Sequence, residues 1–82
     1  MTLVKIIATF ERSEAPFKQR RLVVLQRSNG YFTFAEEYYY QTEYEGKVVA
    51  KGGWAHLPLA GIFETVDAAE AEARLGLVQS LR

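Results

Sequence analysis

Cysteine is absent from this chain of 82 residues, and histidine and tryptophan occur only once each. The lack of cysteine excludes a disulfide framework, a thiolate zinc site, an iron–sulfur cluster and a cysteine nucleophile. The single histidine, His56, leaves no histidine-rich metal site. No apolar run approaches the roughly 18 residues of a membrane span, and the first residues lack the pattern of a signal peptide. We therefore expect one soluble, cytoplasmic domain over residues 1–82, with no metal, no cofactor and no membrane contact.

Charge is balanced over the whole chain but uneven along it. Ten basic and ten acidic residues cancel. Residues 1–30 carry a net charge of +4, with six basic and two acidic residues, and residues 31–82 carry −4. A nucleic-acid-binding domain is usually basic overall, so nucleic acid is a disfavoured partner. The asymmetry predicts opposite charges paired across neighbouring strands, and a dipolar surface that steers a charged partner is the alternative.

The first segment favours a β-strand. Residues 3–10 are rich in β-branched side chains, which fit a pleated surface and lose χ1 freedom in a helix. Their apolar spacing also fits one face of a helix, so a helix remains the alternative. Residues 11–19 are predicted to form a polar connection, because Pro16 cannot sit in a regular central strand.

The dipeptide Asn29-Gly30 between two apolar segments predicts a β-hairpin. Asn-Gly suits a type I′ turn, which needs positive φ at both central residues. With the turn centred between these two residues, Arg21 is expected to lie opposite Tyr38. The unbroken apolar run 22–25 in the first arm predicts either a strand covered on both faces or a central strand whose outer face is partly covered.

The second arm of the hairpin alternates between two faces. Phe32 and Phe34 share one face and are predicted to lie in the core. Glu36 follows on the same face and Glu37 on the other, so the two carboxylates cannot form a shared acid–base pair. We expect them to pair with the basic cluster of residues 18–21 across the hairpin.

The middle of the chain, residues 42–61, is predicted to form short turns, strands and loops. Residues 42–46 are predicted to form a turn, and residues 47–51 a further strand. Gly52-Gly53 is expected to loosen the backbone, and residues 57–61 to form a structured loop.

The C-terminal segment predicts an amphipathic helix. Thr65 is the expected N-cap, and several alanines that follow are strong helix formers. The stripe Val66, Ala69, Ala73 and Leu77 has helical spacing, and its small residues allow close approach to a sheet. The predicted fold is α+β: a three- to four-stranded antiparallel sheet with one C-terminal α-helix packed on one face.

Aromatic residues in the middle of the chain are the candidate interaction surface. They are Tyr38, Tyr39, Tyr40, Tyr44 and Trp54. Strand alternation predicts Tyr38 and Tyr40 on one side of their strand and Tyr39 on the other. Tyrosine and tryptophan are enriched as anchors of protein interfaces. Stacking of nucleic-acid bases ranks lower, because the neighbouring residues are glutamates that repel phosphate. The alternative is that half of these rings complete a small core. Catalytic residues are not predicted, because His56 lacks the neighbouring motif that nucleophilic catalysis requires.

Two stretches resemble small uncharacterised bacterial proteins. The first is residues 28–37, with Gly30-Tyr31-Phe32-Thr33-Phe34-Ala35-Glu36-Glu37, and the second is residues 61–74, with Thr65 before an Ala/Glu-rich helix. A weaker similarity in topology to HicB-type antitoxins lies in Leu57-Pro58-Leu59-Ala60-Gly61 and Thr65. The segment 38–56 is longer than those antitoxins usually have between hairpin and loop. The first resemblance implies no activity.

The leading hypothesis is a non-enzymatic interaction module. One helix covers only one face of the sheet, and small domains with an uncovered apolar face often form dimers. We expect a homodimer, with an unidentified protein partner as a further possibility. A nucleic-acid-associated or antitoxin-like regulator is the alternative function, and an enzyme whose site the sequence does not reveal is the third.

Overall fold

The computed structural model describes residues 1–14, 17–44 and 46–80. Within these residues the chain forms five strands and one helix. They are β1 (Thr2–Glu11), β2 (Gln19–Gln26), β3 (Phe32–Tyr44), β4 (Lys47–His56), β5 (Ala60–Phe63) and α1 (Val66–Ser80). The sheet order is β1-β2-β3-β4, and β5 also pairs with β3. Every pairing is antiparallel, which confirms the predicted α+β class.

The described residues form five strands where three or four were predicted, because β4 and β5 pair with different parts of the same edge of β3. β4 pairs with residues 37–44 of β3, and β5 pairs with Phe32 and Phe34. The predicted loop 57–61 is therefore correct only over its first residues, since β5 begins at Ala60. Pro58 ends β4, because it cannot donate a ladder hydrogen bond.

The predicted turn over residues 42–46 is also wrong in part. β3 continues through Tyr44, and Gly46 has a φ of +79°. Glu45 lies outside the described residues. β4 runs through Gly52-Gly53 without a break, and the pairing with β3 shifts register between Tyr40 and Thr42. The two glycines therefore belong to a β-bulge rather than to a loop.

The β2–β3 hairpin has the predicted position but a different turn. The amide of Gly30 donates to the carbonyl of Arg27 at 3.0 Å, and Arg27 N–H donates to the carbonyl of Tyr31 at 2.8 Å. Gly30 has a φ of +90°. This is a three-residue loop with its last residue left-handed, not a two-residue type I′ turn. The register is therefore one residue away from the prediction, and Arg20 rather than Arg21 lies opposite Tyr38.

Helix α1 is capped and packed as its sequence predicts. Thr65 Oγ1 accepts a hydrogen bond from the amide of Ala68 at 3.1 Å. Ala69 and Ala73 are buried, and the helix packs on β2, β3 and β5. A cavity of about 250 Å³ remains between sheet and helix near Phe34 and Leu77.

Both faces of β2 are covered, which is the first of the two alternatives that its apolar run predicts. Leu22 and Val24 are buried on the helix side, and Val23 and Leu25 are buried on the opposite side. Val23 and Leu25 form a cluster with Ala35, against which Leu59 packs. The expectation of an open second face is therefore wrong for the centre of that face. Phe32 and Phe34, predicted to be core residues, are only half-buried.

Candidate interaction surface

The structure divides the predicted aromatic residues between two faces of the sheet. Tyr38 and Tyr40 lie on the helix side of β3, because Tyr38 pairs across the sheet with Arg20, whose guanidinium reaches Glu36 on that side. Tyr39 and its cross-strand neighbour Trp54 lie on the opposite side. Tyr44 is the last residue of β3, and its side chain lies outside the described part of the structure. The predicted placement of Tyr38 and Tyr40 on one side and Tyr39 on the other is confirmed, so the candidate residues belong to two separate surfaces.

Tyr38 belongs to a cluster at the end of the sheet where β2 begins. Its ring stacks on Phe17, with centroids 4.9 Å apart and planes 20° from parallel. The guanidinium carbon of Arg20 lies 5.7 Å from the centroid of the Tyr38 ring. These contacts join residues 17–20 to Tyr38 of β3, so Tyr38 fixes the start of β2 and the residues before it onto the sheet.

Tyr40 lies beyond this cluster and faces solvent. It is 43% exposed. Its ring lies beside Gly53, where an added Cβ would come within 3.1 Å of the Tyr40 hydroxyl. Phe17, at 41% exposed, lies near it on the same side through its stacking on Tyr38. We call Phe17, Tyr38 and Tyr40 the aromatic patch.

Tyr39 and Trp54 form a second cluster on the opposite face. Their rings meet edge to face, with centroids 5.3 Å apart. The guanidinium carbon of Arg21 lies 4.4 Å from the centroid of the Trp54 ring, and the same guanidinium donates to Glu37. Ion pair and ring contact together hold Arg21 in one orientation.

The predicted pairing of Glu36 and Glu37 with basic residues is confirmed. Glu36 accepts two hydrogen bonds from Arg12, both at 2.7 Å, and a third from Arg20 at 2.6 Å. Arg20 also donates to the carbonyl of Phe17 at 2.8 Å. Arg20 is buried, and Glu36 is 16% exposed. Three distant segments are therefore held together by one carboxylate.

The hydrogen bonds among Glu36, Arg12 and Arg20 shift the pKa values of Glu36 and Arg12. The hydrogen bonds from Arg12, together with the one from Arg20, hold the pKa of Glu36 below its ordinary value, although burial acts in the opposite direction. The same contact with Glu36 raises the pKa of Arg12. Glu36 is therefore ionised at neutral pH and acts as a structural anion.

His56 makes a local contact with the next residue of the chain. Its Nδ1 lies 3.0 Å from the carbonyl oxygen of Leu57, and the residue is exposed. Across β3 it lies opposite Glu37, whose carboxylate is already held by Arg21. Within the described ranges, no group of three or more His, Cys, Asp or Glu could hold a metal ion.

Two contributors to these clusters were not predicted. Phe17 was assigned to a polar connection, and Arg12 to the same segment. The available signal was slight: Phe17 is a single aromatic residue inside a polar run after Pro16. Only the fold shows that this connection turns back onto β2 and β3.

Comparisons with protein-family models, with curated proteins and with solved structures gave no significant match. Among the residues that the structure describes, no helix is both long and apolar enough to cross a membrane.

Proposed function

We propose that this chain is a non-enzymatic interaction module that forms a homodimer through its aromatic patch. The observation that carries the proposal is the exposure of Tyr40 beside the stacked pair of Phe17 and Tyr38. Aromatic side chains of this kind give large contact area at small entropic cost, and they are enriched at interface centres.

The length of β3 supports the proposal. Pairing between β2 and β3 ends at Arg20 and Tyr38, whereas β3 continues with β4 alone through Tyr44. The sheet therefore ends in a two-stranded arm, and the molecule measures 46 × 32 × 17 Å. A two-stranded ribbon is marginally stable in water without a further layer. A second copy placed on the aromatic patch would supply that layer.

The arginines beside the two aromatic clusters are paired with carboxylates, which favours a protein interface over a nucleic-acid interface. Arg12 and Arg20 are held by Glu36, and Arg21 is held by Glu37. A guanidinium that already has a carboxylate as its counter-ion contributes less positive charge to the binding of a phosphate. The proposal of a nucleic-acid-associated or antitoxin-like regulator therefore has less support than a protein interface. We place the module in the cytoplasm as part of the same proposal, because it lacks cysteine.

A matched pair of tyrosine variants tests the proposal. Tyr40 and Tyr31 are almost equally exposed, at 43% and 42%, but Tyr31 follows the β2–β3 turn at the other end of the sheet. We expect Tyr40→Ser to weaken dimerisation by about tenfold or more, because loss of an aromatic anchor costs about 2 kcal/mol. Tyr31→Ser is expected to leave it unchanged.

Sedimentation equilibrium over a range of concentrations measures the dimer affinity of the parent and of both variants. The parent is expected to approach twice the chain mass of 9.3 kDa. A parent that stays monomeric, or equal weakening by both substitutions, would show that the patch is not a dimer interface.

A further inference from the structure

Arg20 joins the aromatic patch to the ion-pair group around Glu36. Its Nε donates to the carbonyl of Phe17 at 2.8 Å, and its Nη1 donates to Glu36 at 2.6 Å. Its guanidinium carbon lies 5.7 Å from the centroid of the Tyr38 ring. Arg20 is only 8% exposed, so it is not itself available to a partner. Two of the three patch residues therefore contact one buried side chain.

Phe17 is the patch residue whose position depends most on this side chain. It precedes β2, which begins at Gln19, so the strand ladder does not fix its backbone, whereas Tyr38 and Tyr40 lie within β3. Its ring is 41% exposed. An exposed side chain that is already held in its bound orientation loses less conformational freedom on association. The hydrogen bond from Arg20 to the Phe17 carbonyl supplies such a restraint.

The contacts of Arg20 use the forked, planar shape of a guanidinium. One N–H group reaches a carbonyl and another reaches a carboxylate, while the group lies beside an aromatic ring. A lysine ammonium is a single charge on a flexible stem and cannot reproduce this fork. Glu36 is itself held by two hydrogen bonds from Arg12. A continuous set of contacts therefore runs from Arg12 through Glu36 and Arg20 to Phe17.

We infer that Arg20 is a positioning residue of the aromatic patch: it holds Phe17 in the orientation that a second copy binds, and Glu36 holds Arg20. The inference rests on the proposed function, because it takes the patch as the dimer interface. It adds a buried residue that controls the affinity of that interface. Arg20 acts through Phe17 and makes no contact with the second copy.

The substitution Arg20→Lys tests the inference, with Arg21→Lys as its matched control. Arg21 is the next residue of β2, and it likewise lies against a ring, that of Trp54, and pairs with a carboxylate, that of Glu37, but on the opposite face. We expect Arg20→Lys to weaken dimerisation by about fivefold in sedimentation equilibrium, because Phe17 regains freedom that association must remove. Arg21→Lys is expected to dimerise like the parent.

A double-mutant cycle separates positioning from a general structural role. Phe17→Ala removes the ring that Arg20 positions. In that background Arg20→Lys should change the dimer affinity no further, because two changes in one chain of contacts are not additive. An equal loss of affinity in both backgrounds would overturn the inference, since Arg20 would then act on the dimer without Phe17.

Ring contacts in a dilute sample test the positioning without a dimer. We expect nuclear Overhauser effects between the rings of Phe17 and Tyr38 in the parent and in Arg21→Lys, and weaker ones in Arg20→Lys. Unchanged ring contacts in Arg20→Lys would overturn the inference even where the parent dimerises. A parent that stays monomeric but shows the expected difference would refute the proposed dimer and support Arg20 as the residue that holds Phe17.

Proton exchange in the parent covers the case in which Arg20→Lys does not fold. The Nε–H of Arg20 is expected to exchange with water far more slowly than that of Arg74, which donates to Glu70 from a side chain that is 55% exposed. Equal exchange rates would show that the bond to Phe17 is not maintained in solution, and this result would overturn the inference.

Discussion

Replacing Glu36 with glutamine should destabilise this fold more than any other single loss of charge described above. The carboxylate accepts three hydrogen bonds, two from Arg12 and one from Arg20. Glutamine keeps one acceptor oxygen and turns an NH₂ group toward a guanidinium. Arg20, only 8% exposed, would then hold a buried charge without its anion.

The magnitude follows from how far each partner is from water. Breaking a buried ion pair by removing one partner costs about 3–5 kcal/mol. Arg12 is 27% exposed and can regain water, so we expect a loss near the lower bound, about 3 kcal/mol. A domain of 82 residues is stable by about 4–12 kcal/mol. The loss is therefore a large share of the total.

Urea denaturation of the parent, Glu36→Gln and Glu72→Gln measures this loss. Glu72 is an exposed helix residue, and its substitution removes the same charge. We expect the Glu72 variant to keep the midpoint of the parent and the Glu36 variant to unfold at clearly lower urea. Equal midpoints for the two variants would refute the reasoning, because they would show that Arg20 and Arg12 do not depend on Glu36.

The pH dependence of the same experiment has a defined sign. The pKa of Glu36 is lowered in the folded state, so its contribution is fully present above the ordinary glutamate pKa. It is lost as the pH falls through the lowered, folded-state pKa. The parent should therefore lose stability over this acidic range, and Glu36→Gln should lose less over the same range.

Two further substitutions test local features of the backbone. A Cβ on Gly52 would lie 1.8 Å from the carbonyl oxygen of Tyr40, so Gly52→Ala should destabilise by about 1–3 kcal/mol in thermal melting, whereas Gly53→Ala meets only the end of the Tyr40 ring and should cost less. Equal melting temperatures for these two variants would argue against the bulge in β4. Thr65→Ala removes the bond from Thr65 Oγ1 to the amide of Ala68 and should cost about 1 kcal/mol, seen as a lower thermal midpoint. An unchanged midpoint would mean that the cap contributes nothing.

Local sequence signals predicted the elements whose causes are local. The N-cap at Thr65 and the buried stripe at Ala69 and Ala73 depend on residues within a few positions of one another. The apolar run of β2 likewise predicted burial on both faces as one of two alternatives, because four consecutive apolar residues leave no polar face.

The β2–β3 hairpin shows a feature that local sequence signals do not predict, namely the length of its loop. Asn29-Gly30 marks the turn, but both a two-residue and a three-residue loop place a glycine in the left-handed region. The choice between them shifts the pairing by one residue, and with it the partners of Arg20 and Arg21. Glu36 and Glu37 lie on opposite faces of the sheet, so the β2–β3 register decides which arginine can pair with which glutamate.

The sequence predicts the members of the candidate surface and their division between two faces, but not their contacts with distant residues. The five aromatic residues stand out in the sequence, and strand alternation predicts Tyr38 and Tyr40 on one face and Tyr39 on the other, as the structure has them. Phe17 joins Tyr38 only because the connection after β1 turns back onto the sheet. No local pattern encodes a contact across 21 positions.

Intermolecular nuclear Overhauser effects test the central proposal most directly. A sample that mixes copies uniformly labelled with ¹³C and ¹⁵N with unlabelled copies reports only contacts between subunits in an isotope-filtered experiment. We predict contacts to the ring protons of Tyr40 and Phe17 from the second copy. A dimer whose intermolecular contacts involve only other residues, such as exposed Leu3 and Ile6 of β1, or a sample without intermolecular contacts, would contradict the aromatic patch as the interface.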